Sequence, residues 1–227
     1  MTLKDDYYNL LTIVNKGDWD KGSDVYQLNE FNMKWLSFVR DKMKDNATIW
    51  ISGTMHNIFS IGQVLTALKF KILNIVTWQK PNPPPSWAKR SLTHSTEQII
   101  WARKQAKVPH FYDYELMKKI NGDQQMKDVW TLPAIQKWEK TCGKHETAKP
   151  LSVLNRVILA STKPNAWILD PFTGGSTTGI AANLLNRRFV GIDIDESFLE
   201  LSKKRKNEIE CDKIQKQFLE KLNGVKN

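Results

Sequence analysis

In the last third of the chain an aspartate, a run of glycines and hydroxyls, and a second aspartate follow one another. The run reads Ile168-Leu169-Asp170-Pro171-Phe172-Thr173-Gly174-Gly175-Ser176-Thr177-Thr178-Gly179, and Ile192-Asp193 comes after it. The apolar residues before each aspartate read as strands, and residues 174–185 as a loop running into a helix. Glycines placed there let a backbone come close to a ligand at a helix N-terminus. A carboxylate ending the next strand can hydrogen-bond both hydroxyls of a ribose, which is the role open to Asp193. The pattern points to a nucleoside-bearing cofactor. The plainer alternative is that these glycines only make a tight turn between strand and helix, since glycine motifs alone are promiscuous.

Charge chooses among cofactors. A phosphate-binding loop needs Lys after its second glycine, and Ile180 follows Gly179. Gly174-x-Ser176-x-x-Gly179 is a damaged dinucleotide fingerprint, and Asp170 sits at its mouth. A carboxylate there repels a pyrophosphate and attracts a sulfonium and an amino group, because like charges in a low-dielectric cleft cost kcal/mol rather than tenths. S-adenosylmethionine carries both cations and no phosphate. The alternative on the same unit is an NAD-dependent enzyme.

The elements that must hold this site follow from periodicity. Helices are expected over 30–43, 58–68 and 150–160, with one long basic helix from 196 to about 222. Strands are expected over 47–52, 70–78, 96–102, 166–169 and 189–193. Lys80-Pro81-Asn82-Pro83-Pro84-Pro85-Ser86-Trp87 is an exposed loop, since neither helix nor central strand tolerates it. Residues 104–149 are polar and weakly periodic and read as a surface excursion. Strand–loop–helix–strand units build doubly wound, mostly parallel sheets, so the fold class is α/β and Rossmann-like.

The chain has 227 residues, 41% of them hydrophobic and 26% charged, which fits one globular domain over 1–227. No apolar run approaches the roughly 20 residues of a membrane helix. The start carries Lys4, Asp5 and Asp6 and lacks the apolar stretch of a secretory signal. Cys142 and Cys211, with His110, lack metal-ligand spacing, so no metal is expected and a reducing cytoplasm is. The net charge of +10 favours a polyanionic partner. Segment 79–150 holds 13 Lys and Arg against 7 Asp and Glu. Lys89, Arg90, Arg103, Lys104 and Lys107 read as a phosphate-contacting cluster after the proline loop, and the alternative is a solvated face. Asn82 and Trp87 lie on that loop, with Lys80 at its start. Lys203, Lys204, Arg205 and Lys206 read as a solvated face first and a DNA contact second.

Several motifs, in one order, resemble the β-class DNA amino-methyltransferases of restriction-modification systems. Leu169-Asp170-Pro171-Phe172-x-Gly174, Thr177-Thr178-Gly179 and Gly191-Ile192-Asp193 look like their cofactor motifs. Lys144-His145-Glu146-Thr147-Ala148-Lys149-Pro150 resembles their His-Pro-Thr-Gln-Lys-Pro segment. Trp78-x-Lys80-x-Asn82-Pro83 and Thr93-His94-Ser95-Thr96-Glu97 resemble the segment beside the target base, and Lys127-Asp128-Val129-Trp130 matches too. Lys16-Gly17-Asp18-Trp19-Asp20-Lys21 and Trp50-Ile51-Ser52-Gly53 bring the resemblance closest to the DpnA-like adenine-N6 enzymes.

The resemblance implies methyl transfer from S-adenosylmethionine to the N6 amine of adenine in DNA, with cytosine-N4 as an alternative target. It implies a cofactor pocket of Asp170, Pro171, Phe172, Gly174, Gly175, Ser176, Thr177 and Asp193, closed by Thr147 and Lys149. Target recognition is expected over about 79–149, including Lys80, Asn82, Trp87, Lys89, Arg90, Arg103 and Lys104, and the cofactor unit over about 150–195. The family's Asp-Pro-Pro-Tyr motif has its nearest counterpart in Asp5-Asp6-Tyr7-Tyr8, so Asp5 and Tyr8 are the candidate catalytic residues. Relative to the family the chain is expected to be short at its N-terminus, with a homodimer or a second subunit covering an open sheet. A shortened relative that binds DNA or a partner without methylating is the alternative function. Ser176 replaces the last glycine of the family's Phe-x-Gly-x-Gly, and Glu146 and Ala148 replace its Pro and Gln.

Overall fold

The computed structural model describes residues 25–143 and 148–224. It begins with helix α1 (Val25–Lys42), which turns its Asn32 and Leu36 inward and ends on Arg40 and Lys42, cations suited to a helix C-terminus. Strand β1 (Thr48–Gly53), helix α2 (Ile58–Ala67), strand β2 (Lys71–Gln79) and strand β3 (Thr96–Arg103) come next. Helix α3 (Tyr114–Ile120), the short strand β4 (Val129–Thr131) and a 3-10 turn (Lys137–Glu139) fill the middle of the chain. The last part runs α4 (Leu151–Ser161), β5 (Trp167–Asp170), α5 (Thr177–Leu184), β6 (Arg188–Gly191), α6 (Glu196–Ile209) and α7 (Asp212–Asn223).

The α/β reading holds, with a specific twist in the sheet. The order is β1-β3-β2-β4, and β5-β6 form a second pair. β3 pairs antiparallel with both β1 and β2, while β2–β4 and β5–β6 are parallel. So β1, β2 and β4 point one way and β3 alone is reversed between them. Ile99, Ile100, Trp101 and Ala102 of β3 are all buried, which is why this strand reads as a continuous apolar run rather than an alternation. Ile100 and Ala102 join Leu36, Ile61 and Leu65 beneath α1 and α2. Ile99 joins Val76, Trp78 and Trp130 with Val153 and Val157 of α4 on the opposite face. Helices therefore cover both faces of the sheet. Across β1 and β3, Trp50 and Trp101 are partners in register and their rings stack at 4.7 Å, 9° from parallel.

Two expectations fail. Residues 104–149 are not a surface excursion: Met117, Trp130, Leu132 and Glu139 are all buried. Trp78 Nε1 donates to the Leu132 carbonyl at 2.8 Å, and the Asp113 N–H to the Ala160 carbonyl at 3.0 Å. The segment hides its apolar positions in elements of 3 to 7 residues, too short to show a period. The long C-terminal helix breaks at Glu210–Cys211 into α6 and α7. Ile209, Phe218 and Leu222 share one core, whereas a continuous helix would carry its inward stripe onto Asp212 and Lys213.

Contacts at the two ends of α4 orient the molecule. At its start, Glu139 accepts the Leu151 N–H at 2.6 Å. At its end, Ser161 accepts from Trp50 Nε1 at 3.1 Å, and Arg187, just ahead of β6, donates to Thr162 at 3.0 Å. The loop after β5 lies toward the N-terminal end of α4, because Arg205 donates to the Gly175 carbonyl and is in electrostatic contact with Glu139. Just before α4, Lys149 pairs with Glu97 opposite Trp78 near the close of β2.

Leu132, 1% exposed, tests the corrected middle segment. Leu132→Ala is expected to cost about 2–5 kcal/mol in urea unfolding. A cost within about 0.5 kcal/mol, usual for surface positions, returns the segment to the surface.

Candidate functional site

β5 and β6 are only four residues long, and their ladder continues into the loop after β5. The Ile192 N–H donates to the Asp170 carbonyl at 2.9 Å, and the Thr173 N–H to the Ile192 carbonyl at 3.0 Å. Both candidate carboxylates sit here, half-buried and engaged with the loop. Asp170 accepts the Phe172 N–H at 3.1 Å on one oxygen and the Thr178 hydroxyl at 2.6 Å on the other. Asp193 accepts the Gly174 N–H at 2.7 Å and the Asp195 N–H at 3.0 Å. Two negative groups thus flank one loop at the C-terminal ends of parallel strands, the usual ligand position in open α/β sheets.

The loop is tightly packed. Residues 173–177 are buried, and the Thr173 and Ser176 hydroxyls meet at 3.2 Å. A Cβ on Gly179 would lie 2.5 Å from Ser176 Oγ and 2.6 Å from a Phe189 ring carbon, so only glycine lets α5 come this close to β6. Ser176 takes the left-handed φ of 57°, where a Cβ costs roughly 1–2 kcal/mol. The side of the loop toward α1 opens on an apolar cleft of about 470 Å³ lined by Phe31, Trp35, Phe38, Leu169, Pro171 and Phe172, with Lys34 and Lys42 at its edge. The Phe172 ring meets that of Trp35 edge-on at 5.1 Å.

The structure thus brings together Asp170, Pro171, Phe172, Gly174, Gly175, Ser176, Thr177 and Asp193. Thr147, Asp5 and Tyr8 lie outside the described residues. Lys149 stands next to α4, and its ammonium pairs with Glu97 at 3.1 Å while Lys80 pairs with the other Glu97 oxygen at 2.5 Å. This bridge joins the segment beside the expected target base to the segment expected to close the cofactor pocket. Burial pushes the Glu97 carboxyl up, and Lys149 and Lys80 outweigh burial and hold it below its ordinary 4.5.

The basic residues do not form one cluster. Gln79 pairs with Thr96 at one end of β3, and Lys71 and Thr48 pair with Arg103 at the other. Asn82, Trp87, Lys89 and Arg90 are exposed on the loop at the first end, with Trp87 at 80% and Leu92 beside them at 91%. Arg103 and Lys104 lie at the far end. Arg103 donates to the Ala106 and Val108 carbonyls, and Lys104 donates to the Met43 carbonyl at 2.7 Å and pairs with Asp45 at 3.3 Å. These two hold the α1–β1 connection and the turn after β3. Lys80 is likewise committed to Glu97. Arg103 and Lys104, expected to contact phosphates, and Lys80, expected beside the target base, are thus all held by contacts within the protein.

Thr178, of the Thr177-Thr178-Gly179 motif, holds the glycine loop through Asp170, and Ser202 and Arg205 hold it too though no motif marks them for it. Ser202 Oγ donates to the Gly174 carbonyl at 3.0 Å. Arg205, expected on the surface, is 5% exposed and donates to the Gly175 carbonyl and to Thr177 Oγ1 at 3.2 Å. The signal for its burial is helical spacing: Leu201, Arg205 and Ile209 recur every four residues, on the stripe that carries the apolar side chains.

Known proteins resemble the chain in sequence and in fold. The N6/N4 family described as DNA methylase matches residues 1–204. The type II methyltransferase M2.MboI of Moraxella bovis is 56% identical over 201 residues, covering 88% of this chain and 74% of that protein. M2.DpnII of Streptococcus pneumoniae is 52% identical over 193 residues, 85% of this chain and 72% of that protein. Among solved structures, the M1.HpyAVI–SAM complex aligns with TM-score 0.66 at 28% identity, over 80% of this chain and 83% of that one. The cytosine-N4-specific PvuII DNA methyltransferase shares the fold, with TM-score 0.66 at 19% identity over 87% of this chain and 78% of that one.

The Glu97 bridge gives a signed pH dependence. Its carboxyl is held low in the folded chain, so the stability it contributes is fully present above about pH 4.5 and is lost as pH falls through its folded value. Glu97→Gln is expected to flatten that part of the acid limb and to cost about 1.5–3 kcal/mol at pH 7. Urea unfolding across pH 3–7 measures both; parallel wild-type and variant curves would mean that the bridge contributes nothing.

Proposed function

The chain belongs to the N6/N4 DNA methylase family, and on that premise we propose that it is a site-specific DNA methyltransferase of a restriction-modification system. It transfers the methyl group of S-adenosylmethionine to the exocyclic N6 amine of adenine. The observation that carries this reading is the glycine loop held between Asp170 and Asp193 at the ends of β5 and β6. The type II methyltransferase names of relatives above 50% identity support the reaction.

The residues present fit the cofactor. Two carboxylates face a donor bearing a sulfonium and an ammonium, and a diphosphate would meet the same charges as repulsion. The cleft beside Phe172 and Trp35 offers aromatic and apolar walls to a nucleoside. The buried guanidinium of Arg205 lies behind the loop, where it hydrogen-bonds the Gly175 carbonyl with Glu139 and Glu208 in electrostatic contact. Bound there, the cofactor would supply a methyl group activated by a positively charged sulfur, whose leaving group is a neutral thioether. The chain's part is to orient: Asp170 and Asp193 fix the loop and set its charge, and Lys149 anchors the adjoining segment through Glu97. Asp5 and Tyr8 are proposed to accept the amine hydrogens and to stack on the base, which must leave the duplex stack to reach them. Water takes the proton released after attack.

The exposed loop carrying Asn82, Trp87, Lys89 and Arg90 is the proposed DNA-reading surface. It lies at the same end of the molecule as the glycine loop, so one duplex can meet both. The expected setting is the cytoplasm, and no described helix is long and apolar enough to cross a membrane. A second copy or a second subunit is the proposed protein partner. Among the described residues β1 and β5 each pair on one side only, and Phe31, Phe38, Trp167 and Ile192 are exposed.

Two measurements test this. Asp170→Asn and Asp193→Asn are each expected to lower affinity for S-adenosylhomocysteine about tenfold by calorimetry. Both should keep the wild-type circular dichroism. NAD binding with no S-adenosylhomocysteine binding would replace the reading with the dehydrogenase alternative. Tritium transfer onto single- and double-stranded DNA is expected to label adenine and to vanish in Asp5→Ala and Tyr8→Ala with cofactor affinity intact. DNA binding without label in the wild-type protein points to the non-methylating relative, and label on cytosine to the N4 enzyme.

A further inference from the structure

α6 presents Ser202 and Arg205 three residues apart on one face, and they take two successive carbonyls of the glycine loop. Ser202 Oγ donates to the Gly174 carbonyl, and Arg205 donates to the Gly175 carbonyl and the Thr177 hydroxyl. The neighbouring Lys203, Lys204 and Lys206 are exposed, so burial is specific to the guanidinium. Its second terminal nitrogen, Nη2, is buried with no hydrogen-bond partner, a desolvation cost that the loop contacts must offset. Glu139 stands in electrostatic contact with Arg205 and accepts the N–H groups of Gln136 and Leu151 at 2.8 and 2.6 Å. The same group is thus tied to the first turn of α4, directly after Lys149.

The loop needs such a hold. Ser176 sits in a left-handed conformation that its side chain disfavours, and strained residues persist only when their surroundings over-determine them. Asp193 fixes the Gly174 N–H from the β6 side, which leaves the carbonyls to be fixed from behind. A lysine could supply one point charge there, whereas the planar guanidinium reaches the carbonyl and the hydroxyl together. We propose that Arg205, with Ser202, is a positioning residue pair that holds the glycine loop in its cofactor-binding shape from the α6 side. This rests on the cofactor reading above; the hydrogen bonds themselves do not.

Calorimetry of the full chain with S-adenosylhomocysteine, paired with amide hydrogen exchange in its absence, tests the clamp. Arg205→Met is expected to lower affinity about tenfold or more, and Ser202→Ala about threefold. Arg205→Lys should recover part of the loss. Exchange across residues 173–178 should quicken in Arg205→Met while β1 and β3 keep wild-type rates, a pattern that general destabilisation would not give. If Arg205→Met does not fold at the assay temperature, Arg205→Lys and Ser202→Ala carry the comparison. Affinity within about twofold of wild type, with unchanged exchange, overturns the clamp. A wild-type protein that does not bind the probe overturns the cofactor reading instead, and the exchange rates then decide the clamp by themselves.

Discussion

The Asp193 carboxylate on the Gly174 N–H is the contact on which the site is built. β5 and β6 are too short for their ladder alone to fix the loop beyond them, so side chains take over from the backbone. Asp170 holds the two ends of the loop through Phe172 and Thr178, and Asp193 holds its middle. Ser176 keeps its left-handed φ within this frame, and Gly179 has no room for a side chain beside Ser176 and Phe189. The same carboxylates then define the charge a ligand meets. Shape and electrostatic preference therefore come from one set of atoms, and a change to either aspartate alters both.

A second set of ties runs from the approach to α4 to the base of the proline loop. Glu97 lies near the start of β3, with Lys80 from the end of β2 on one oxygen and Lys149 from the approach to α4 on the other. Trp78, beneath Lys80, is pinned to the Leu132 carbonyl, and Trp130 packs under the Arg156 guanidinium of α4. Burial lowers the Arg156 pKa to about 10. The middle of the chain is thus wedged between sheet and α4, and the proline loop projects from a rigid base.

How much of this was legible depended on the length of each element. α2, β2, β3 and α4 are 8 to 11 residues long, enough for a helical period or an apolar run to show, and their bounds fall within a residue or two of expectation. The loop and both aspartates were legible because glycine and carboxylate types carry their own geometry. α3, β4 and the 3-10 turn were not, since a strand of three residues has no period to read. The break between α6 and α7 was hidden because both halves are helical and basic. Lys80, Arg103, Lys104 and Arg205 looked alike as basic residues, yet each is committed to a carbonyl, a hydroxyl or a carboxylate inside the protein. Sequence shows that a cation is present, and only packing shows what it faces. Asn82, Trp87, Lys89 and Arg90 kept their exposure because prolines exclude their loop from the sheet.

The stacked pair of Trp50 and Trp101 gives the sheet an optical identity. Two indoles held cofacial at 4.7 Å couple their electronic transitions, and that coupling exists only while β1 and β3 are in register. The molecule therefore carries an exciton signal for closure of its central antiparallel pair, distinct from the peptide bands that report its helices. A change in that signal would separate assembly of the sheet from assembly of the β5–β6 unit within one polypeptide.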